Sequence, residues 1–256
     1  RINNVDVFQE FNVGKEKFPL LIGSNRTDNT IFLGRLYSDG SIKKILKNDP
    51  KSFIEEVYGI TSYNSNDMDY VFISGKDGTL EQWLIEDNEG NISMSLIRTI
   101  KFNSIVEGLV SDTYYKKLYV AEEKVGLWEI NIDPNIDLNK KLIFNTDKRY
   151  FKPDFEGITL YKKGFGEGYI FISIQGSNSY AVLDRKSKKF ISVFRIKSSN
   201  NIDSVSETDG IDLSQLSTNE YPKGLFIVQD GDNDNQNQNF KFVNLSLILD
   251  KIYEKP

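Results

Sequence analysis

Short apolar runs separated by turn residues recur along the whole chain. Runs of about 4–6 aliphatic, β-branched and aromatic residues, bounded by Gly, Asn or Asp, are typical of buried strands. Four such runs are YVFIS at 70–74, KLYVA at 117–121, YIFIS at 169–173 and GLFIV at 224–228. The more alternating runs TLEQWL at 79–84 and GLWEI at 126–130 predict outer strands. Helical periodicity is limited to residues 242–253, so the pattern predicts an all-β chain with one short helix near its end.

A similar phrase recurs at a nearly fixed interval. The phrases are NNVDV, EVYGI, VEGLV, FEGIT and TDGID, and their head residues are Asp6, Glu56, Glu107, Glu156 and Asp209. Successive head residues are 50, 51, 49 and 53 positions apart. A repeated strand-rich unit of about 40–50 residues predicts a β-propeller, because each unit can bury its apolar face only against its neighbours. A β-sandwich, the alternative all-β fold, would not show this self-similarity.

The composition excludes several kinds of chemistry. The chain has no His and no Cys, which excludes an imidazole base, a Ser-His-Asp triad, a thiolate nucleophile and a Cys-ligated zinc site. Any catalysis must therefore use carboxylates, Lys, Arg, Tyr or a metal ion held by oxygen. The net charge of −5 and the lack of a long basic run argue against a nucleic-acid partner. The sequence also lacks an apolar run of about 18 residues, so no membrane-spanning segment is predicted.

Acidic residues at one phase of the repeat are candidates for a metal site. These candidates are Glu107, Glu122, Glu123, Asp154, Glu156, Asp203 and Asp209. Equivalent loops of successive propeller blades meet at one end of the central channel, so we expect these carboxylates to face one another. Such a group repels itself unless cations neutralise it, and Ca²⁺, which takes about 6–8 oxygen ligands, fits this chemistry. For each single residue, the alternative is a solvated acid or a turn-forming Asp.

Two basic residues are candidates for anion binding. Arg26 in SNRT and Lys76 in SGKDG each follow a predicted buried strand, which would place them in loops at the channel mouth. Arg can hold phosphate oxygens in a bidentate manner, and Lys offers a point charge. Each residue alone could equally be an ordinary surface charge. The SGK sequence is not a P-loop, because the upstream glycines are missing.

The segment DGDND at 230–234 has the alternating acids of an EF-hand loop. Position 6 of such a loop would be Asn235 instead of Gly, and position 12 would be Lys241 instead of Glu. An EF-hand is therefore excluded, and a looser calcium-binding turn remains open.

Taken together, these segments resemble the β-propeller phytases, which are calcium-dependent alkaline phytases. The matching segments occur in the family's order and span nearly the whole chain. They are NNVDV (3–7), SNRT (24–27), EVYG (56–59), SGKDGTLEQ (74–82), EGLVSDTYYKKLYVAEE (107–123), DFEGITLY (154–161), SIQGSNSYAV (173–182), SETDGID (206–212), EYPKGLFIVQDGDN (220–233) and QNFK (238–241). The AEE after a strand, the QGxxSYAV segment and the late TDGID are together quite specific.

The resemblance implies a six-bladed propeller, of which about five repeats are visible here, in a single domain over residues 1–256. It implies a phosphoric monoester hydrolase of the 3-phytase type, in which metal-activated water attacks the phosphomonoesters of myo-inositol hexakisphosphate. Several Ca²⁺ ions would be the cofactors, and calcium phytate and other inositol phosphates would be the substrates. We expect a monomer that is extracellular or periplasmic and has no nucleic-acid or membrane partner.

The resemblance also assigns roles to residues of this chain. Arg26 and Lys76 match the family's phosphate-binding cations. The positions that match its active-site calcium ligands are Tyr58, Glu107, Glu123, Asp154, Glu156 and Gln175, and all of these except Gln175 are also assigned to catalysis. Asp203 matches an acid that helps to hold calcium. The residues that resemble the family's structural calcium loop are Asp230, Asp232 and Asn233.

The chain departs from the family pattern in two places. The family's N-terminal section, with its DDPAIW-like acidic motif and a further lysine pair, has no counterpart here, so we expect the domain to be incomplete at its N-terminus. Phe8 stands where family members usually carry Arg. Two other functions stay open: a non-catalytic propeller that binds a phosphorylated ligand or a partner, and a calcium-dependent propeller esterase or lactonase.

Overall fold

The computed structural model describes residues 1–65, 68–145, 152–200, 202–233 and 236–253. Among these residues are 19 strands, two short 3₁₀ helices (Gly164–Gly166 and Gln175–Ser177) and one α-helix, α1 (Leu245–Tyr253). The strands are β1 (Ile2–Val13), β2 (Glu16–Asn25), β3 (Thr30–Leu36), β4 (Ile42–Lys44), β5 (Val57–Asn64), β6 (Asp69–Gly75), β7 (Thr79–Asn88), β8 (Asn91–Lys101), β9 (Val106–Asp112), β10 (Lys117–Glu122), β11 (Gly126–Asn131), β12 (Lys141–Asn145), β13 (Phe155–Lys162), β14 (Gly168–Ile174), β15 (Ser179–Asp184), β16 (Phe190–Phe194), β17 (Ile211–Ser214), β18 (Leu225–Asp230) and β19 (Asn239–Asn244).

The described strands form five sheets of consecutive strands. The first four sheets contain β1–β4, β5–β8, β9–β12 and β13–β16, and the fifth contains β17–β19. Neighbouring strands pair antiparallel, as β1 does with β2 and β14 with β15. The first strands of successive sheets adjoin, since β1 contacts β5, β5 contacts β9 and β13 contacts β17. These sheets are the blades of a β-propeller, which confirms the predicted all-β fold with about five repeats.

The continuous apolar runs form the second strands of the last four blades, as the sequence pattern predicts. All seven residues of β14 are buried, and β6 is buried from its second residue onward. The prediction that TLEQWL and GLWEI are outer strands is wrong in position, because they form the third strands β7 and β11. The outermost strand β8 alternates exposed and half-buried residues along most of its length, and its half-buried Ile92, Met94 and Leu96 pack against the apolar core.

The predicted helix over 242–253 begins later than expected. Helix α1 starts at Leu245, and Phe242 belongs to β19, where it pairs with Ile227 of β18. Asn244 lies at the boundary between β19 and α1, where its side-chain Oδ1 accepts a hydrogen bond from the backbone N–H of Ser246 at 3.0 Å. An Asn in this role is a common helix N-cap.

Two compact units divide the chain by their internal contacts. The first unit comprises Arg1–Glu122 and Glu129–Lys141, and the second comprises Glu123–Trp128 and Leu142–Pro256. In the first unit Phe8 is buried in the apolar core and packs against Phe11, with ring centroids 5.4 Å apart. In the second unit Phe226 packs against Tyr180 and Phe171. The single domain over residues 1–256 stays a prediction.

The described part of the chain contains no helix of the length and apolar character needed to span a membrane.

A β-bulge occurs at the same place in the first strand of four blades. In β5 the register shifts by one residue between Val57 and Ile60, so Tyr58 and Gly59 together lie opposite the single residue Ser74. The same shift places one extra residue in β1, β9 and β13. The first residues of the four bulges are Asn3, Tyr58, Glu107 and Glu156. Because a bulge re-aims the side chains that it carries, these four positions are structurally equivalent.

The bulges show that the repeated phrases are aligned at the wrong residue in the first two blades. The phrases place Asp6 and Glu56 at the repeated position, whereas the residues in the bulges are Asn3 and Tyr58. Asp6 lies beyond its bulge, where its Oδ2 atom accepts a hydrogen bond from the Thr61 hydroxyl at 2.8 Å and so ties β1 to β5. Tyr58 thus occupies the bulge position at which β9 and β13 carry the acids Glu107 and Glu156.

Serines opposite the bulges tie adjacent blades together. The Ser74 hydroxyl donates a hydrogen bond to the backbone oxygen of Val106 at 2.7 Å. In the second unit the Ser173 hydroxyl donates to the backbone oxygen of Asp209 at 2.6 Å. These bonds satisfy buried hydroxyls and hold the start of one blade against the next.

Replacing Gly59 by Ala is expected to destabilise the first unit strongly. A Cβ atom at this position would lie 1.8 Å from the backbone oxygen of Glu107, so the two strands would have to move apart. Overpacking of this kind costs about 1–3 kcal/mol or more. The matched control is Gly164→Ala, because nothing lies within 4 Å of a Cβ atom there. Urea unfolding should give a lower midpoint for Gly59→Ala, and equal midpoints for the two variants would contradict this close approach.

Candidate active site

The two cations predicted to bind phosphate lie side by side and share one acid. Arg26 directly follows β2 and Lys76 directly follows β6, so the second strands of two blades deliver them. Glu56 Oε1 lies 2.9 Å from Lys76 Nζ and is also ion-paired with Arg26 Nη2. Two positive groups therefore converge on a single anionic oxygen.

Residues of two equivalent bulges support this pair of cations. Arg26 Cζ and Lys76 Nζ each lie 5.2 Å from the centroid of the Tyr58 ring. A cation–π contact of this kind contributes about 0.5–1 kcal/mol at an exposed site. Asn3 adds a hydrogen bond, because its Oδ1 atom accepts from Arg26 Nη1 at 3.0 Å. The Arg26 guanidinium is thus held by three side chains.

Glu56 is the acid of this group and was not among the predicted site residues. The hydrogen bond from Lys76, followed by that from Arg26, holds the pKa of the Glu56 carboxyl below its ordinary value. Its side chain is 44% exposed, compared with 18% for Arg26. The sequence did indicate that Glu56 lies near the cations, because it stands two residues before Tyr58 in EVYG. The repeated phrases, however, grouped Glu56 with Glu107 as one of a series of equivalent acids.

Glu107 is a buried acid in the bulge of β9. It is 6% exposed, and its Oε2 atom has no hydrogen-bond partner among the described residues. Its Oε1 atom accepts only a long hydrogen bond, 3.4 Å, from Asn3 Nδ2. A buried carboxylate oxygen in this state is costly, and a cation would satisfy it. Along the ladder, the preceding residue Val106 pairs with Glu122 at the end of β10.

The side chain of Glu122 accepts hydrogen bonds from backbone N–H groups. Its Oε1 atom accepts hydrogen bonds from the N–H groups of Asn103 at 2.7 Å and Ser104 at 2.8 Å. The carboxylate of Glu122 therefore fixes the loop that leads into β9. Glu122 is fully buried, so the alternative of a solvated acid does not describe it.

In the second unit, Glu123 and Glu156 form a buried acidic pair. Glu123 is 8% exposed and Glu156 is 4% exposed. One carboxylate oxygen of each lies within 4.8 Å of the other. Calcium binds oxygen at about 2.3–2.6 Å, so two oxygens on one ion can be at most about 5 Å apart. The pair therefore fits a calcium ion in spacing, burial and ligand type.

Backbone hydrogen bonds bring the other predicted ligands of the second unit to this pair. Phe155 donates its N–H to the backbone oxygen of Glu123 at 3.1 Å. Glu156 is the next residue after Phe155, so this bond holds Glu156 close to Glu123. Gln175 donates its N–H to the backbone oxygen of Asp154 at 2.9 Å. The structure thus joins the segments that carry Glu123, Asp154, Glu156 and Gln175.

Asp209, one of the acids that the repeat pattern marks as candidates for a metal site, belongs to this group as well, although the family resemblance did not assign it a calcium-binding role. Gln175 Nε2 donates a hydrogen bond to Asp209 Oδ1, and Gly157 donates its N–H to the backbone oxygen of Asp209 at 3.1 Å. The signal was present in the sequence, since Asp209 in TDGID aligns with Glu156 in FEGIT.

Asp203 and Asp230, both predicted to bind calcium, contact an ammonium group. Lys241 Nζ lies 2.7 Å from Asp203 Oδ1 and 2.6 Å from Asp230 Oδ2. It also donates to the backbone oxygen of Ser204 at 2.9 Å. Burial alone would lower the pKa of Lys241, but the hydrogen bonds to Asp203 and then Asp230 outweigh it and raise that pKa. The same bond from Lys241 lowers the pKa of Asp203.

The remaining loop residues are more open. Asp232 is exposed, and Asn233 is half-buried and donates from Nδ2 to the backbone oxygen of Asn237 at 2.9 Å. Asp234, the last residue of the DGDND segment, and the following Asn235 lie outside the described residues. Calcium binding by Asp203, Asp230, Asp232 and Asn233 stays a prediction.

The fold and these sites define a β-propeller that carries a paired cationic site and a buried acidic pair. The chain belongs to the Phytase family, whose model matches residues 1–256. It is 36% identical over 242 residues to a 3-phytase of Bacillus subtilis (strain 168). That match covers 91% of this chain and 63% of the relative, so the chain spans less than two thirds of the relative's length.

Solved structures of low sequence identity share the fold. A nidogen/laminin complex matches with a TM-score of 0.56 and 13% identity, covering 90% of this chain and 72% of that one. The β-propeller domain of Cps50 (Swd1) from Myceliophteria thermophila matches with a TM-score of 0.54 and 10% identity, covering 88% and 66%. These similarities support the propeller architecture alone.

Replacing Lys241 by Met is expected to lower the free energy of unfolding by about 3–5 kcal/mol, because it leaves a buried charge without its partner. The charge is that of Asp230, whose side chain is fully buried. The matched control is Lys251→Met, because Lys251 is exposed. Urea unfolding measures the effect, and the double variant Asp230→Asn/Lys241→Met should recover part of the loss. A Lys241→Met protein as stable as the control would contradict the role of this ammonium group.

Proposed function

We propose that the whole protein is a calcium-dependent phosphatase that removes phosphate from myo-inositol hexakisphosphate and related inositol phosphates. The observation that carries the proposal is the convergence of Arg26 and Lys76 on one anionic oxygen. Membership of the Phytase family and the identity to a 3-phytase support the choice of substrate.

Arg26 and Lys76 supply the phosphate-binding step. The planar guanidinium can donate two parallel hydrogen bonds to phosphate oxygens, and the ammonium adds a point charge. Asn3 and Tyr58 keep the guanidinium in place, so little side-chain entropy is lost when phosphate binds. The site therefore orients a phosphomonoester by its charged oxygens.

The buried acids are proposed to hold the calcium. Glu123 and Glu156 would provide carboxylate oxygens, with Asp154, Gln175 and Asp209 on the segments joined to them. In the first unit, the orphaned Oε2 atom of Glu107 is by itself a candidate calcium ligand. Calcium bound by such acids would offset the negative charge of phosphate and lower the pKa of the attacking water.

The residue types available are consistent with direct attack by water. The chain has no His and no Cys, so the usual residues for a phosphohistidine or phosphocysteine intermediate are absent. The buried carboxylates cannot themselves bind a polyanion, because like charges repel. They contribute by holding cations, and Arg26 and Lys76 contribute by positioning the phosphate.

In the full-length protein, Glu156→Gln is expected to reduce phosphate release from calcium phytate by at least about 10–100-fold. This is the loss typical of residues that only support a metal ligand. Glu86→Gln removes an exposed acid on β7 and should leave the rate unchanged. Colorimetric phosphate release measures both variants. Full activity of Glu156→Gln, or of exhaustively chelated protein, would contradict the proposal, and turnover of lactones without phosphate release would favour the esterase alternative.

Calcium is expected to raise the melting temperature, because a ligand that binds only the folded state stabilises it. At a hundred times its Kd the gain is about 2.7 kcal/mol. Differential scanning calorimetry with and without millimolar calcium measures the shift, which should be smaller in Glu156→Gln than in Glu86→Gln. An unchanged melting temperature of the unsubstituted protein would argue against a metal site.

A further inference from the structure

We propose that Glu56 is an internal competitor of the substrate phosphate: its carboxylate occupies the position between Arg26 and Lys76 that a phosphate oxygen must take. This inference rests on the proposed function and adds a residue that sets phosphate affinity. Glu56 acts through the two cations and is therefore a positioning residue.

The geometry of the shared oxygen supports the competition. Glu56 Oε1 is bonded to both Lys76 Nζ, at 2.9 Å, and Arg26 Nη2. A phosphate oxygen carries the same negative charge and seeks the same two donors. The carboxylate and the phosphate oxygen cannot occupy one position, so phosphate must displace the carboxylate to use both donors.

The carboxylate is the group that can move. Arg26 is 18% exposed and is held by Asn3 and the ring of Tyr58, whereas the side chain of Glu56 is 44% exposed. The backbone of Glu56 stays in place during such a movement, because its carbonyl oxygen accepts a hydrogen bond from the N–H of Lys76 at 3.2 Å. Rotation of the Glu56 side chain into solvent would therefore open the cationic pair without rearranging the strands.

The charge balance gives the direction of the effect. Arg26 and Lys76 carry two positive charges, and Glu56 cancels one of them. With Glu56 in place, the cations are preorganised but bind phosphate less tightly, which favours release of the product. A neutral residue at this position leaves both positive charges available to the ligand.

The test compares binding of inorganic phosphate by the full-length protein and by Glu56→Gln, using isothermal titration calorimetry without added calcium. Glu56→Gln is expected to bind phosphate about fivefold more tightly, a modest gain because an ion pair near the surface is weak. The control is Glu55→Gln, which removes a neighbouring exposed acid with the same change in net charge. Glu56→Asp keeps the charge and should bind phosphate less tightly than Glu56→Gln.

Steady-state kinetics provide a second readout that a purely structural role would not produce. Glu56→Gln should lower KM for inositol phosphate without raising kcat, because tighter binding of substrate and product does not stabilise the transition state selectively. Glu56→Ala, a second neutral variant, should show the same split if Glu56→Gln folds poorly.

Unchanged or weaker phosphate binding by both neutral variants would overturn the inference, as would an equal gain in Glu55→Gln. If neither the unsubstituted protein nor any of the variants binds phosphate, the inference is overturned as well. A protein that binds phosphate more tightly as Glu56→Gln, yet releases none from phytate in its unsubstituted form, would refute the proposed function and leave this inference standing.

Discussion

Like charges brought close together must be compensated, and this constraint underlies the charged clusters among the described residues. A repeated strand unit places similar side chains at equivalent positions, so acids in the repeats accumulate. The described residues show two means of compensation within the chain. Lys241 neutralises Asp203 and Asp230, while Arg26 and Lys76 share Glu56. For the buried pair Glu123 and Glu156, we propose a metal ion.

The β-bulge is the backbone feature that gives each of four blades an equivalent position for a functional side chain. It inserts one residue in β1, β5, β9 and β13 and places different side chains at one structural position. An amide at Asn3 and a phenol at Tyr58 support a guanidinium, whereas carboxylates at Glu107 and Glu156 are suited to cations. The same local fold therefore presents two kinds of chemical group, and only the residue type at the bulge differs.

Much of the architecture could be predicted from the sequence, because continuous apolar runs report strands that are buried on both faces. The outer strand β8 was not predicted, although its Ile92, Met94 and Leu96 alternate with polar residues, because it lacks a continuous apolar run. The repeat was found, but its phase was wrong for Asp6 and Glu56, because a bulge changes the side-chain direction by one residue without a mark in the hydrophobic pattern. The contact of Lys241 with Asp203 joins residues 38 positions apart, and no local pattern encodes such a pairing. The resemblance named Arg26 and Lys76, whereas their common acid emerged only from three-dimensional contacts.

The ammonium of Lys241 differs from a bound metal ion, because it is part of the chain. A covalently attached cation cannot be diluted, chelated or exchanged, and the pairing of β19 with β18 brings Lys241 to Asp230. A divalent ion, in contrast, must be captured from the surroundings. The positive charge that faces Asp230 is therefore present at every concentration of mineral ions.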